Sequence, residues 1–424
     1  MTKYYHSNEQ QDPQAREQSL FAKLPQFIAD VEKNSLHYQE LFAGIHGVTD
    51  ASTINSRAQL AKLPITRKSE LIALQKRRPP FAGINSRNGN IHRIFQSPGP
   101  IYDPESCQED WWRMGQAFYA AGFVAGDLVQ NCLSYHLTPG GFILDSGARA
   151  CGCMVIPAGP GQTEQQLDII EDLKPQGYCG TPSFLKILLN KAKEQNRDIS
   201  SVKKALVTGE ALPKGLREEF KNAGINVLQA YASADVGLIG YESIADDGLI
   251  ISENLIVEIV RPGSLTPVAD GEIGEVVVTS FNADYPLIRF ATGDLSAVKV
   301  GKSACGRTNM RIKGWLGRAD QTTKVKGMFV HPEQVERVRL IADCFPKARL
   351  TVTQQDHQDK MHLQCELGED NAAAILTDTD KKQLLNQLAD ALKQFTKLNG
   401  SVELVARGSL PDDGKVIDDQ RVIG

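Results

Sequence analysis

The strongest constraint on the fold is a repeated alternation between residues 91 and 232. Short apolar runs alternate there with segments of helical period, and Gly or Pro residues separate them. The predicted strands cover residues 91–96, 128–133, 153–157, 177–180, 205–208 and 227–230, and the predicted helices cover residues 104–121, 140–150, 164–173, 182–196 and 214–222. Strands that alternate with helices in this way form a parallel sheet covered on both faces. Such sheets bind ligands beyond the carboxyl ends of their strands.

The segments on either side complete the predicted α/β architecture. Residues 1–90 have mainly helical periodicity, whereas the period becomes two after residue 248, which is typical of antiparallel strands. A tail of about 100 residues from residue 319 is long enough for a small domain. We therefore predict a large N-terminal domain, residues 1–318, with doubly wound, mainly parallel sheets plus antiparallel strands. A small, mobile α+β domain is predicted for residues 319–424.

Composition favours a protein that acts on small molecules. The chain has 424 residues, 41% hydrophobic and 23% charged, with a formal net charge of -4. This balance gives no reason to expect nucleic acid or an anionic membrane as a partner. The polar N-terminus lacks a signal-peptide pattern, and no window has the roughly 20 apolar residues of a membrane span. We expect a cytoplasmic protein with reduced cysteines.

The segment from residue 91 to 106 is a candidate phosphate loop with an unusual composition. It is predicted to run from a strand through a sharp loop at Ser97-Pro98-Gly99-Pro100 into a helix, with Asp103 as the helix N-cap. Phosphate loops point backbone N–H groups at the anion, and proline has none. Ser97 and Gly99 are the candidate phosphate contacts that remain.

Five further polar segments follow predicted strands or lie near the tail. They are Thr208-Gly-Glu-Ala-Leu212, Tyr231-Ala-Ser-Ala-Asp235, Ile288-Arg-Phe-Ala-Thr-Gly-Asp294, Gly314 to Gly327, and Pro411-Asp-Asp-Gly-Lys415. Each alone also fits an ordinary turn, a solvated loop acid, a hinge or a solubilising lysine. Asp235 could hold Mg²⁺ on a nucleotide's phosphates, and Asp294 could accept hydrogen bonds from ribose hydroxyls.

The order of these segments resembles the phenylacetate-CoA ligase-like branch of the adenylate-forming superfamily. Three more segments of that branch have counterparts at Leu63-Pro-Ile-Thr66-Arg-Lys68, at Val155-Ile-Pro157 followed by Gly161-Gln-Thr-Glu164, and at Thr181-Pro-Ser183. The resemblance runs from about residue 60 to the C-terminus. It implies a large AMP-binding adenylation domain and a small AMP-binding-associated domain that moves on a hinge.

The resemblance also implies roles for individual residues. The nucleotide-binding residues would be Ser97, Gly99, Gly209, Glu210, Ala211, Tyr231, Ala232, Ser233, Asp294 and Arg318. The hinge and coenzyme A side would contain Asp320, Lys324, Lys326 and Gly327. The acyl pocket would contain Tyr135, His136 and Gly140. Lys415 would meet the carboxylate and the α-phosphate during adenylation, and Asp235 would be catalytic and hold Mg²⁺.

The implied activity is an ATP-dependent, AMP-forming acid-CoA ligase for an aryl or small organic carboxylate. Its substrates and cofactors would be ATP, Mg²⁺ and CoA, and the family suggests a homodimer. Two alternatives stay open: an adenylating acyltransferase that uses another acceptor, and a non-catalytic nucleotide- or acyl-binding relative.

The chain departs from the family pattern in three motifs and at one position of the acyl segment. Asp235 replaces a glutamate, the phosphate loop contains two prolines, and Cys305 stands alone where relatives often have Cys-x-Cys. One thiol cannot make a structural zinc site, so we predict none. His136 replaces a small residue, which suggests a shorter or more polar acyl pocket unless its side chain turns into the core.

Overall fold

The structure is a computed structural model with two compact units, Met1–Leu316 and Gly317–Ile423. It describes residues 4–43, 53–261, 264–319, 321, 323–326, 328–330, 332–342, 345–355, 358–368, 377–411 and 415–421. The assignment of residues 1–318 and 319–424 as functional domains stays a prediction.

The first unit contains nine described α-helices. They are α1 Pro13–Asn34, α2 Leu36–Ala43, α3 Arg57–Leu60, α4 Leu71–Arg77, α5 Gly115–Ala120, α6 Gly140–Ala150, α7 Thr163–Leu173, α8 Pro182–Gln195 and α9 Lys214–Asn222. Local sequence explains their starts, since the Asp12 carboxylate caps α1 and the Thr181 hydroxyl accepts a hydrogen bond from the backbone N–H of Phe184 at the start of α8. Helices α1 to α4 lie in the described part of the N-terminal region.

A mixed sheet forms the centre of the first unit. Its strands are β4 Leu128–Asn131, β5 Met154–Pro157, β6 Gly177–Gly180, β7 Lys204–Val207, β8 Asn226–Ser233, β9 Gly237–Tyr241, β10 Leu249–Ile251 and β14 Arg311–Ile312. Their order is β14-β10-β9-β8-β7-β6-β4-β5. The strands β4 to β8 pair in parallel, whereas β9, β10 and β14 join antiparallel. The predicted α/β class is confirmed.

A second sheet joins the N-terminal region to the antiparallel part of the chain. It contains β1 Thr66–Arg67, β11 Leu255–Val260, β12 Gly274–Ser280 and β13 Leu287–Ser296, in the order β1-β13-β12-β11. The short strand β1 pairs in parallel with β13, with Thr66 opposite Phe290. One large apolar cluster underlies both sheets and includes Leu24 and Ile28 of α1. The N-terminal helices are therefore part of the main core.

The segment after residue 91 differs from its sequence prediction. Strands β2 Ile91–Ser97 and β3 Ile101–Ser106 form an antiparallel hairpin, and helix begins only at Gly115. The helix predicted for residues 104–121 is therefore present only at Gly115–Ala120, and the N-cap role of Asp103 is wrong. Pro104 pairs opposite Ile94 in a two-stranded hairpin, where a residue without an N–H is tolerated because each strand has a free edge.

The second unit is a small α+β structure. Its strands are β15 Gly317–Arg318, β16 Thr323–Val325, β17 Met328–Val330, β18 Lys347–Gln355, β19 Gln358–Glu366, β20 Ser401–Val405 and β21 Ile417–Asp419, and its helices are α10 Pro332–Arg339 and α11 Asp378–Thr396. Strands β20-β19-β18-β21 form its main sheet. Val335, Leu350, Leu363 and Leu392 belong to its own apolar cluster. Strand β21 lies at one edge of this sheet and pairs in parallel with β18.

None of the helices in the described ranges combines the length and the apolar character that a membrane crossing needs.

Candidate functional site

The predicted nucleotide residues follow neighbouring strands of the first unit. Thr208 to Ala211 come directly after β7, Tyr231 to Ser233 end β8, and Asp294 lies in the second half of β13. Because β7 and β8 are adjacent and parallel, their carboxyl ends lie at one edge of the sheet.

Gly209 lies in a turn that requires its residue type. Its φ of +80° is in the left-handed region, which L side chains adopt at a cost. The Thr208 N–H donates to the Gly180 carbonyl at 3.0 Å, and the Ser183 N–H donates to the Glu210 carboxylate at 3.4 Å. The structure thus joins two predicted segments, Thr181 to Ser183 and Thr208 to Ala211.

Tyr231 and Asp294 come together as part of a polar cluster. The Tyr231 hydroxyl donates to Asp294 Oδ2 at 2.7 Å, and Trp315 Nε1 donates to Asp294 Oδ1 at 3.1 Å. The Asp294 N–H donates to the Thr292 hydroxyl at 3.1 Å. A carboxylate oxygen can accept more than one hydrogen bond, so an oriented Asp294 could accept hydrogen bonds from a diol.

Asp235 is paired with a lysine from the N-terminal region. Lys68 Nζ donates to Asp235 Oδ2 at 2.5 Å, and the Asp235 side chain has no exposed surface. Burial alone would lower the pKa of Lys68, but the charges of Asp235 and Asp103 outweigh it and the pKa is raised. The ammonium group therefore stays charged beside these carboxylates, with Asp294 adding a weaker attraction.

Asp103 is the second carboxylate beside Lys68. It lies in β3 and is fully buried. Burial raises its pKa well above the usual range, and the charge of Asp235 raises it further, while Lys68 and Ser97 oppose that rise. Neither Asp103 oxygen has a partner of hydrogen-bond geometry, although Ser97 and Asp235 lie close enough to influence its pKa.

The candidate phosphate loop is the tight turn between β2 and β3. Pro98, Gly99 and Pro100 are exposed, whereas Ser97 is buried and its hydroxyl donates to the Ile101 carbonyl at 3.4 Å. Since proline has no N–H, Gly99 supplies the single backbone donor within these three residues. Cations must therefore supply most of the attraction for a phosphate here.

Helix α2 and the second sheet support the segment that carries Lys68. His37 Nε2 lies 2.9 Å from the Thr66 hydroxyl, and the Ile288 N–H donates to the Tyr38 hydroxyl at 2.7 Å. Thr66 pairs in parallel with β13 two residues before Lys68. The position of the lysine is thus fixed by backbone pairing as well as by its ion pair.

The predicted acyl-pocket residues surround the start of α6. The Asn131 amide donates to the Tyr135 hydroxyl at 2.8 Å, and that hydroxyl donates to Asp145 Oδ2 at 3.3 Å. A Cβ on Gly141 would lie 2.7 Å from the Tyr135 ring, so glycine is required for this packing. Gly140 begins α6, and His136 is exposed, so the alternative that His136 turns into the core is wrong.

Four predicted residues belong to the described part of the second unit. Arg318 lies in β15, Lys324 in β16, and Lys326 is an exposed residue whose N–H donates to Asp359 at 2.8 Å. Lys415 Nζ lies 3.2 Å from Asp418 Oδ1. The predictions for Asp320 and Gly327 fall outside the described residues.

Sequence reasoning missed three participants: Lys68, Asp103 and Trp315. The segment from Leu63 to Lys68 was recognised only as a family marker. Lys68 and Asp235 are separated by 167 positions in the sequence, and no local sequence pattern predicts their contact. Asp103 was misplaced because the hairpin was predicted as a helix.

Comparisons with known proteins place the chain among adenylate-forming enzymes. The family model described as "AMP-binding enzyme" matches residues 114–283, and the model of the AMP-binding enzyme C-terminal domain matches residues 327–423. A phenylacetate-coenzyme A ligase of Escherichia coli is 28% identical over 403 residues, covering 90% of this chain and 89% of that protein. One from Thermus thermophilus is 26% identical, covering 82% of this chain and 80% of its own length.

Solved structures show the same fold. A 2-hydroxyisobutyryl-CoA ligase, in complex with 2-HIB-AMP and CoA in the thioesterification state, superposes with a TM-score of 0.78 at 20% identity. That match covers 100% of this chain and 93% of the other. An amide bond synthetase from Marinactinospora thermotolerans matches with a TM-score of 0.51 at 16% identity, over 77% of this chain and 68% of its own. With the two family models and the phenylacetate-CoA ligase relatives, the chain belongs to the phenylacetate-CoA ligase-like branch of the adenylate-forming superfamily.

Proposed function

We propose that the protein is an ATP-dependent, AMP-forming acid-CoA ligase for a small or aryl carboxylate. The observation that carries the proposal is the joint placement of Tyr231, Asp294, Asp235 and Lys68 in one unit. The first pair provides acceptors for a ribose diol, and the second provides charge for phosphates. Its relatives named phenylacetate-coenzyme A ligase support CoA as the acceptor.

The proposed reaction has two steps. An oxygen of the substrate carboxylate attacks the α-phosphorus of ATP, and the bond to the pyrophosphate oxygen breaks. The thiolate of CoA then attacks the acyl carbonyl carbon, and AMP leaves with the electron pair of the broken C–O bond. The first step brings anions together, so it needs positive charge at the phosphates.

The residues of the first unit have distinct proposed tasks. Asp294 binds the ribose, and Tyr231 with Trp315 holds its carboxylate in one orientation. Gly209, Glu210 and Ala211 form a wall for the adenine after β7. Lys68 attracts the phosphate chain, because Gly99 and Ser97 of the short turn supply few hydrogen-bond donors.

A Mg²⁺ ion fits the proposed phosphate end. Asp235 Oδ1 is buried and has no hydrogen-bond partner, while Oδ2 is bound to Lys68. Carboxylate oxygens are the ligands that Mg²⁺ prefers in proteins. When bound there with ATP, the ion supplies positive charge that lowers the repulsion between the reacting anions.

The short Pro98-Gly99-Pro100 turn favours one alternative, a non-catalytic binding protein. A relative that binds a nucleotide or acyl group without turnover would tolerate the loss of loop donors. Carboxylate-dependent exchange of labelled pyrophosphate into ATP, measured over aryl and short acids, separates the two functions. Exchange with at least one acid is expected. ATP binding without exchange for any acid would favour the non-catalytic alternative.

The acceptor is tested in the same reaction mixtures. With CoA present, an acyl-CoA thioester should form together with AMP. Adenylate formation that never proceeds to a thioester, but does yield an amide or ester with another acceptor, would favour an acyltransferase. His136 is exposed where the family has a small residue, so we expect that phenylacetate is not the best acid by a wide margin.

A further inference from the structure

Asp103 is a buried acid for which the family resemblance provides no role. The residue is fully buried in β3, and both of its carboxylate oxygens lack a hydrogen-bond partner. A buried carboxylate is normally paired, hydrogen-bonded or bound to a metal. The position therefore needs an explanation beyond packing.

The neighbours of Asp103 leave several oxygens without partners in the same place. Asp235 Oδ1 is buried and without a hydrogen bond, and the Tyr285 hydroxyl is in the same condition on a residue that is 2% exposed. The charges of Asp103 and Asp235 both act on Tyr285, which places its hydroxyl near the two acids. Among the described residues, four buried oxygen atoms of these three neighbouring side chains thus have no partner of hydrogen-bond geometry.

Lys68 does not by itself satisfy this group. Its hydrogen bond goes to Asp235 Oδ2, which leaves Asp235 Oδ1 and both Asp103 oxygens without a partner of hydrogen-bond geometry. Carboxylate oxygens are the ligands that divalent cations such as Mg²⁺ prefer in proteins, so a cation would engage the oxygens that Lys68 does not reach.

We propose that Asp103 and Asp235 together bind one divalent cation, each through a carboxylate oxygen, at the base of the Pro98–Pro100 turn. The inference rests on the proposed function for its nucleotide, because the phosphates of ATP would occupy the remaining coordination positions. Asp103 thereby adds a metal ligand from the hairpin, in the same element whose turn has lost backbone donors.

The test measures the binding of Mn²⁺ to the full chain. The electron paramagnetic resonance signal of the free ion reports how much Mn²⁺ stays unbound. Titrations with and without a non-hydrolysable ATP analogue compare the wild type with Asp103→Asn and with Asp110→Asn. Asp110 is a largely buried acid that accepts a hydrogen bond from the Gly115 N–H at 3.0 Å, and it serves as the matched control. Loss of an outer partner of a metal costs about tenfold or more in affinity, so loss of a ligand should cost at least that.

The expected result is weaker Mn²⁺ binding in Asp103→Asn by about tenfold or more, with Asp110→Asn unchanged. Equal Mn²⁺ affinity in the wild type and Asp103→Asn, with the analogue present, would overturn the proposal. Thermal unfolding of each variant shows whether it is folded. If Asp103→Asn does not fold, the wild type provides the test. Fe²⁺ is bound in place of the proposed cation, and the positions of oxidative backbone cleavage are mapped. Cuts near both residues 103 and 235 that Mg²⁺ suppresses support the site, and cuts near 235 alone overturn it.

This test is separate from the test of the ligase function. Mn²⁺ binding that depends on Asp103, in a protein that shows no pyrophosphate exchange with any acid, would retain the cation site and refute the ligase. Exchange with an acid, combined with equal Mn²⁺ affinity in the wild type and Asp103→Asn, would support the ligase and refute the cation site.

Discussion

The proposed role of Lys68 could be inferred only from the structure. Its ammonium group lies 2.5 Å from Asp235, and the charge of Asp103 also acts on it. Replacing Lys68 with Met should lower carboxylate-dependent pyrophosphate exchange by about 100-fold or more, the scale on which charge-stabilising donors act. Lys62→Met, in the same region and exposed, is the control. Undiminished exchange in Lys68→Met would contradict the proposed role.

Tyr231 should act through Asp294 rather than on the reacting atoms. Tyr231→Phe removes the hydroxyl that donates to Asp294 Oδ2 at 2.7 Å. A hydrogen bond to a charged group contributes about 1.5–3 kcal/mol, so KM for ATP should rise by about tenfold while kcat changes less. Steady-state kinetics at saturating acid measures both constants. Tyr102→Phe, at an exposed position, should match the wild type, and a fall in kcat alone for Tyr231→Phe would refute the positioning role.

Residues were predictable where a strand end carried a recognisable segment. Tyr231 and Asp294 were expected at the nucleotide site from their motifs, and the structure brings them into contact. Lys68 and Asp103 were missed because their roles arise from burial and from a charge contact between distant segments. A charged residue in a sequence does not report whether folding will remove it from water.

At the scale of elements, the βα alternation determined most of the sheet correctly. Strand β6 and helices α6 and α9 have the predicted bounds, because Gly and Pro punctuation coincides with their ends. The hairpin β2–β3 was mispredicted since Asp103-Pro104 also satisfies the start of a helix. What decides between the two structures is the partner strand β2, which pairs with β3 along its length.

The contact between α2 and β1 should make stability depend on pH. Burial lowers the pKa of His37 from 6.5 to about 4. The unfolded chain then binds a proton between these values that the folded protein does not, so stability is lost as pH falls from about 6.5 to about 4. At about 1.4 kcal/mol per pKa unit, the loss is at most about 3 kcal/mol.

Chemical denaturation of the wild type and His37→Gln at several pH values tests this dependence. Glutamine does not titrate, so the variant should lose less stability over the same range. His92→Gln, whose side chain is 44% exposed, should follow the wild-type profile. Parallel profiles for the wild type and His37→Gln would show that His37 is not the responsible group.

At the scale of the whole molecule, the two-step chemistry assigns one task to each unit. The first unit contains the residues proposed to bind the ribose and the phosphates, and Lys415 belongs to the second. Lys415→Ala should lower pyrophosphate exchange by about 100-fold or more, because adenylation loses a cation at the developing charge. Thioester formation from a supplied acyl-adenylate should fall much less.

Lys382, an exposed lysine of α11 in the same unit, provides the control for Lys415. Lys382→Ala should leave both half-reactions unchanged. An equal loss in the two half-reactions for Lys415→Ala would contradict a role confined to adenylation. The association of two copies into a homodimer and the cytoplasmic location stay predictions of the sequence.

The central claim is that this chain joins a carboxylate to CoA at the expense of ATP cleaved to AMP. The direct measurement is a balance of products from the wild-type protein with ATP, Mg²⁺, CoA and a panel of acids, resolved by chromatography and mass spectrometry. The account predicts, for at least one acid, equal amounts of AMP, pyrophosphate and acyl-CoA thioester, and none of them when the acid is omitted. ATP binding without acid-dependent AMP, or cleavage of ATP to ADP in its place, would contradict it.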